Sequence, residues 1–130
     1  MTKIIIDAEN EVVGRMGSYV AKELLKGNEV MIVNSEKAII SGNKDDIAGK
    51  LRKTRKKGGY SMKGPLISKM PDRLLKRMIR GMLPWETQRG RTVYRNLKCY
   101  VGNKTNEKAK KLNIQLPRKY ITIKQMIDLL

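Results

Sequence analysis

Twenty-nine lysines and arginines stand against twelve aspartates and glutamates in this 130-residue chain, a net charge of +17. The chemistry such side chains offer is the binding of polyanions. They are unevenly placed. Residues 1–49 carry six basic and eight acidic side chains, residues 50–98 sixteen and two (Asp72 and Glu86), and residues 99–130 seven and two. A localised positive field costs self-repulsion, which a polyanion relieves. The densest run is Lys50-Leu-Arg-Lys-Thr-Arg-Lys-Lys57. A second cluster is geometric. At about 100° per residue, Arg73, Lys76, Arg77 and Arg80 fall within one arc about 100° wide, and Leu74, Leu75, Met78, Ile79, Met82 and Leu83 lie opposite. An ordinary solvated helix face mixes signs, because like charges four apart repel. Arg89, Arg91 and Arg95 follow Trp85, and arginine's planar fork can bridge two phosphate oxygens.

Other constellations suggest catalysis and lack its requirements. Gly14-Arg-Met-Gly17 follows one apolar run and enters another, as in a dinucleotide fold. The G-x-G-x-x-G pattern that brings backbone close to pyrophosphate is missing, so these glycines are expected to serve a turn and close packing. Gly42 to Lys50 is two residues too long for a phosphate loop, and Leu51 stands where a magnesium-holding Ser or Thr is needed. Asp45 and Asp46 suit the start of a helix, where negative charge meets the dipole. The single cysteine, Cys99, excludes an internal disulfide. With no histidine in the chain, it has no partner to activate it and histidine-containing zinc sites are unavailable. No catalytic residue, metal site or cofactor is therefore expected. The competing class is an RNA-modifying or nucleotide-binding enzyme built on the Gly14–Gly17 turn, which saturable micromolar binding of a nucleotide or methyl donor would favour.

RNA is favoured over DNA by shape. Zinc ligands and zipper heptads are absent, and the cations are spread over several elements, which suits a folded partner better than a straight groove. Aromatic residues are few, with no Phe, one Trp and five Tyr, so a multi-ring base-stacking sheet is not expected. Tyr60 is the candidate stacker on an unpaired base, and Trp85 reads as a packing residue beside a helix end. The candidate RNA-binding set is Lys50, Arg52, Lys53, Arg55, Lys56, Lys57, Tyr60, Lys63, Lys69, Arg73, Lys76, Arg77, Arg80, Arg89, Arg91 and Arg95. The N-terminus lacks a signal-peptide pattern, and no apolar run approaches the length of about eighteen residues that spans a bilayer. A cytoplasmic protein with no membrane partner and no small-molecule substrate is expected.

The positioning elements follow from periodicity. Residues 3–7 and 29–34 are apolar runs that read as buried strands, joined by a helix through Met16, Val20, Ala21, Leu24 and Leu25 that stops at Gly27. Strand, helix and strand within about thirty residues make a parallel βαβ unit. Residues 37–41 read as a third strand. Asn43 is placed to cap a helix that carries the 50–57 run near its C-terminal end. Residues 58–68, with three glycines and a proline, read as an adaptable loop. Pro71 opens a helix that Pro84 ends, and 97–101 is a fourth strand. Residues 103–119 read as an irregular basic tail, and Thr122-Ile-Lys-Gln125 as the capping box of a short terminal helix. A single domain over 1–130 is expected, with its basic region at about 50–98.

Ile79-Arg-Gly-Met-Leu-Pro84, then Gly90-Arg91, then Leu97-Lys-Cys-Tyr-Val-Gly102 resembles the signature segment of the universal large-subunit ribosomal protein family numbered thirteen. Pro71-Asp72-Arg73 resembles that family's helix start. Asp7-Ala8, Gly14-Arg15, Ser18, Ala21-Lys22, Leu25 and Val33-Asn34 resemble its first βαβ unit. Leu116-Pro-Arg-Lys-Tyr120 is similar to the archaeal–eukaryotic branch, and the histidine-containing loop of bacterial members is absent. The resemblance implies a structural component of the large ribosomal subunit, bound to its RNA and beside other ribosomal proteins. It also implies a three-layer α/β/α fold with a mostly parallel four-stranded sheet.

Overall fold

The structure is a computed structural model in which residues 2–56, 68–103 and 108–129 are described. The elements in chain order are β1 (Lys3–Asp7), α1 (Val13–Leu25), β2 (Glu29–Val33), a 3-10 turn (Ser35–Lys37), β3 (Ile39–Ser41), α2 (Lys44–Lys56), α3 (Pro71–Arg80), α4 (Gln88–Tyr94), β4 (Leu97–Cys99), β5 (Tyr120–Thr122) and α5 (Ile123–Asp128).

The βαβ unit forms as its periodicity requires. β1 and β2 pair in parallel from Lys3 opposite Glu29 to Asp7 opposite Val33, with α1 as the crossover. β4 joins the far side of β2 in parallel, giving the order β1-β2-β4. The four-stranded sheet expected from the sequence is corrected. The third expected strand leaves this sheet and pairs antiparallel with β5, Ile40 opposite Ile121. Asn34 is the pivot. It takes the left-handed conformation (φ 56°) and donates from its side-chain amide to Asp7 Oδ1 at 2.9 Å, and the 3-10 turn follows at once. β3 is thereby carried beside Glu11, whose carbonyl accepts the Ile39 amide at 2.9 Å. On the open side of β1, Lys110 makes a single parallel bridge with Ile6.

With a period of two, Ile6, Val30, Ile32 and Leu97 share one face of the sheet. They enter one cluster with Met16, Val20 and Leu24 of α1, Leu75 and Ile79 of α3, and Ile121, Ile123 and Met126 of the C-terminal segment. α1 and α3 meet at Gly17, where an added Cβ would sit 3.5 Å from Ile79 Cγ1 of α3 and 2.7 Å from Sδ of Met82 just beyond that helix. Gly14 and Gly17 therefore both lie inside α1, not in a turn before it, and Gly17 serves helix–helix contact.

Local signals set most helix ends. Asn43 Oδ1 accepts the Asp45 amide at 3.3 Å, Pro71 opens α3, and the Thr122–Gln125 capping box closes in both directions. α3 stops at Arg80 rather than at Pro84, with a turn through Gly81. Residues 108–117 lack regular structure apart from the Lys110 bridge, yet they are docked. Glu11, only 2% exposed, accepts the Leu112 and Asn113 amides at 3.2 Å each and the Ile114 amide at 3.4 Å.

Candidate nucleic-acid interface

α3 places the site. Leu74, Leu75 and Ile79 are buried in the core, which fixes the helix rotation and turns the opposite arc outward. Arg73 and Arg77 are exposed on that arc, and Lys76 and Arg80 are half-buried. Among the described residues the ion pairs are Lys26 with Glu23 at 3.3 Å and Lys111 with Asp7 at 4.0 Å. None of the candidate cations there is neutralised by a carboxylate. The stripe is thus a set of unpaired charges held on a rigid element.

α4, which periodicity did not show, forms the neighbouring wall. Thr87 caps it by accepting the Gly90 amide at 3.2 Å. Gly90 is required because an added Cβ would overlap the Pro84 carbonyl and lie 3.1 Å from the Trp85 nitrogen. That close approach seats Trp85 and Tyr94 beside α3. Their rings meet edge to face, 5.1 Å between centroids at 85°. The Arg80 guanidinium lies 4.0 Å from the centre of the Trp85 ring, and the Lys76 ammonium 4.9 Å from that of Tyr94. Burial raises the Tyr94 hydroxyl above its ordinary value of 10.0, with nearby Arg77 pulling the other way, so the ring stays neutral near pH 7.

Two concavities flank Arg77. One, about 560 Å³, has Arg73, Lys76 and Tyr94 on its wall and reaches Leu51 of α2. The other, about 480 Å³, has Arg80 and Trp85. The α2 cations Lys50, Arg52, Lys53, Arg55 and Lys56 are all exposed, as is Lys69. Arg52 is partly engaged, its Nε donating to the Leu129 carbonyl at 2.7 Å. The α4 arginines divide. Arg91 Nε donates to the Trp85 carbonyl at 3.1 Å and joins the α3 cluster. Arg89 donates to the Leu25 carbonyl at 3.0 Å and so is tied to the end of α1. Arg95 lies with Lys3 and Lys98 around a separate concavity of about 180 Å³. Lys57, Tyr60 and Lys63 lie outside the described residues.

Lys98 stands outside the set expected from the sequence. It is exposed on β4 and also borders a cavity with Arg73 and Lys76. Its signal was the in–out alternation of Leu97, Lys98 and Cys99. Burial pushes the Cys99 thiol up to about 12, which disfavours the nucleophilic thiolate near pH 7. Among the described residues no group of three His, Cys, Asp or Glu could hold a metal, and no helix is long and apolar enough to cross a membrane.

The family model described as Ribosomal protein L13 matches residues 1–106. Three similar archaeal proteins carry the name Large ribosomal subunit protein uL13. That of Methanopyrus kandleri is 46% identical over 99 residues, covering 75% of this chain and 61% of its own. That of Methanosarcina barkeri is 49% identical over 105 residues, 80% of this chain and 74% of its own. That of Methanocaldococcus jannaschii is 41% identical over 130 residues, 94% of this chain and 93% of its own. The chain therefore spans less than two thirds of the Methanopyrus protein and nearly all of the Methanocaldococcus one. With the signature segment on α3, α4 and β4 and the βαβ unit all inside the matched range, the chain belongs to the Ribosomal protein L13 family.

Proposed function

We propose that this chain is a structural constituent of the large ribosomal subunit in the cytoplasm, where it binds large-subunit ribosomal RNA and supports subunit assembly and translation. It performs no reaction. The observation that carries the proposal is the α3 stripe, four cations on one rigid face with no acidic neutraliser among the described residues. RNA phosphates supply the missing counter-charge, and each one neutralised releases counterions. Lys50, Arg52, Lys53, Arg55, Lys56 and Lys69 extend the surface from α2, and Arg91 extends it from α4. Arg95 and Lys98 continue it along the β4 edge. Neighbouring ribosomal proteins meet the remaining surface. The same family membership supports the finer three-layer α/β/α arrangement.

Replacing Arg73, Arg77 and Arg80 together by Glu tests it. The variant keeps its circular dichroism spectrum and unfolding midpoint and loses binding to a large-subunit ribosomal RNA transcript. Wild-type affinity falls by about 0.7–0.9 log units per neutralised phosphate for each tenfold rise in salt. Unchanged affinity of the triple variant across the salt series removes the stripe from the interface.

A further inference from the structure

Lys76, Tyr94, Trp85 and Arg80 form a continuous row in which each outer cation lies on a ring and the rings meet edge to face. In an edge-to-face pair, the edge of one ring occupies a face of the other. A cation also lies over each ring, so each ring already has two partners within the protein. The row is therefore a poor platform for stacking a base. It is suited to holding cations. A guanidinium lying on a ring keeps its N–H donors in its own plane, free at the rim for phosphate oxygens. Arg73 and Arg77, on the same stripe, have no such ring beneath them among the described residues. Lysine and arginine side chains lose the most rotamer freedom when they are fixed, so a support that orders them beforehand strengthens binding.

We infer that Trp85 and Tyr94 are positioning residues that hold Arg80 and Lys76 in their phosphate-binding posture. RNA affinity then depends on two side chains that touch no phosphate. This rests on the RNA-facing role proposed for α3, and the test separates the two.

The affinity of the full chain for a large-subunit ribosomal RNA transcript is measured across a salt series. Tyr94→Leu and Trp85→Leu each weaken binding about three- to tenfold at fixed salt and leave the salt slope unchanged, while Tyr94→Phe binds as wild type. Lys76→Gln and Arg80→Gln each lower the slope by about 0.7–0.9. Tyr94→Leu adds no further loss in the Lys76→Gln background. Ring variants that bind as wild type overturn the inference. So does a Tyr94→Leu loss that persists unchanged once Lys76 is gone, since the ring then acts through general packing. If Lys76→Gln and Arg80→Gln are silent while Arg73→Gln and Arg77→Gln weaken binding, the inference fails and the RNA-facing role stands. If all four are silent, the RNA-facing role itself fails. Should Trp85→Leu not fold, the cycle built on Tyr94→Leu, Tyr94→Phe and Lys76→Gln decides alone.

Discussion

Cys99 is held protonated by its surroundings. Burial raises its thiol from an ordinary 9.0 to about 12, against a smaller downward pull from Lys76. The unfolded thiol ionises first, so the contribution of this group to stability is complete below pH 9 and is lost as pH rises toward 12. Cys99→Ala should therefore flatten the alkaline limb of the stability curve, by on the order of 1 kcal/mol near pH 10, measured by urea unfolding at several pH values. An equally steep limb in the variant would place the alkaline sensitivity elsewhere. Glu11 is a second residue whose role is local and strong. One carboxylate receives three consecutive backbone amides, and an amide side chain would turn a donor toward them. Glu11→Gln is expected to cost about 2–3 kcal/mol and to speed hydrogen exchange at residues 112–114 first. Uniform exchange across the chain would contradict a latch acting on that segment. Nothing in the sequence marked Glu11, because its partners lie about a hundred residues away.

Two glycines show how elements are brought together. At Gly90 an added methyl meets the backbone at Pro84, which cannot move without moving Trp85. At Gly17 it meets the flexible end of Met82, which is 38% exposed and has room to swing outward. Gly90→Ala should destabilise by about 2 kcal/mol or more. Gly17→Ala should stay within about 1 kcal/mol of wild type, because better helix propensity offsets the displaced thioether. Urea unfolding of the two variants side by side checks this, and equal losses would reject the distinction. The helix starts at Asn43, Pro71 and Thr122 were legible because caps act within four residues. α4 was not. A mid-helix glycine lowers its propensity, and the reason for that glycine is the Pro84 carbonyl, a contact no helical period reports.

For the whole molecule, the C-terminal segment is part of the core. Residues 1–106 match the family model, yet Ile121, Ile123 and Met126 are at most 1% exposed and join the same cluster as the first βαβ unit. Burying each is worth about 1.5–3 kcal/mol, and together they approach the whole stability of a small domain. A chain ending at residue 107 should therefore fail to give a cooperative thermal transition, read by circular dichroism. A sharp transition near the full-length midpoint would show the segment to be dispensable.

The sequence alone determined where charge accumulates, which α3 face is cationic, the βαβ unit and the family resemblance. The first three follow from composition or from a period of two or 3.6 residues, which act over a few neighbours, and the resemblance rests on matched motifs along the chain. Only the tertiary structure decided that β3 leaves the first sheet for β5, that Glu11 latches the tail, and that α4 sets Trp85 and Tyr94 under Arg80 and Lys76. The β3–β5 pairing and the Glu11 latch join residues far apart in the chain, and the ring placement crosses from one helix to the next. Their choice depends on which packing buries the most apolar surface without stranding a backbone amide, a condition of the folded whole.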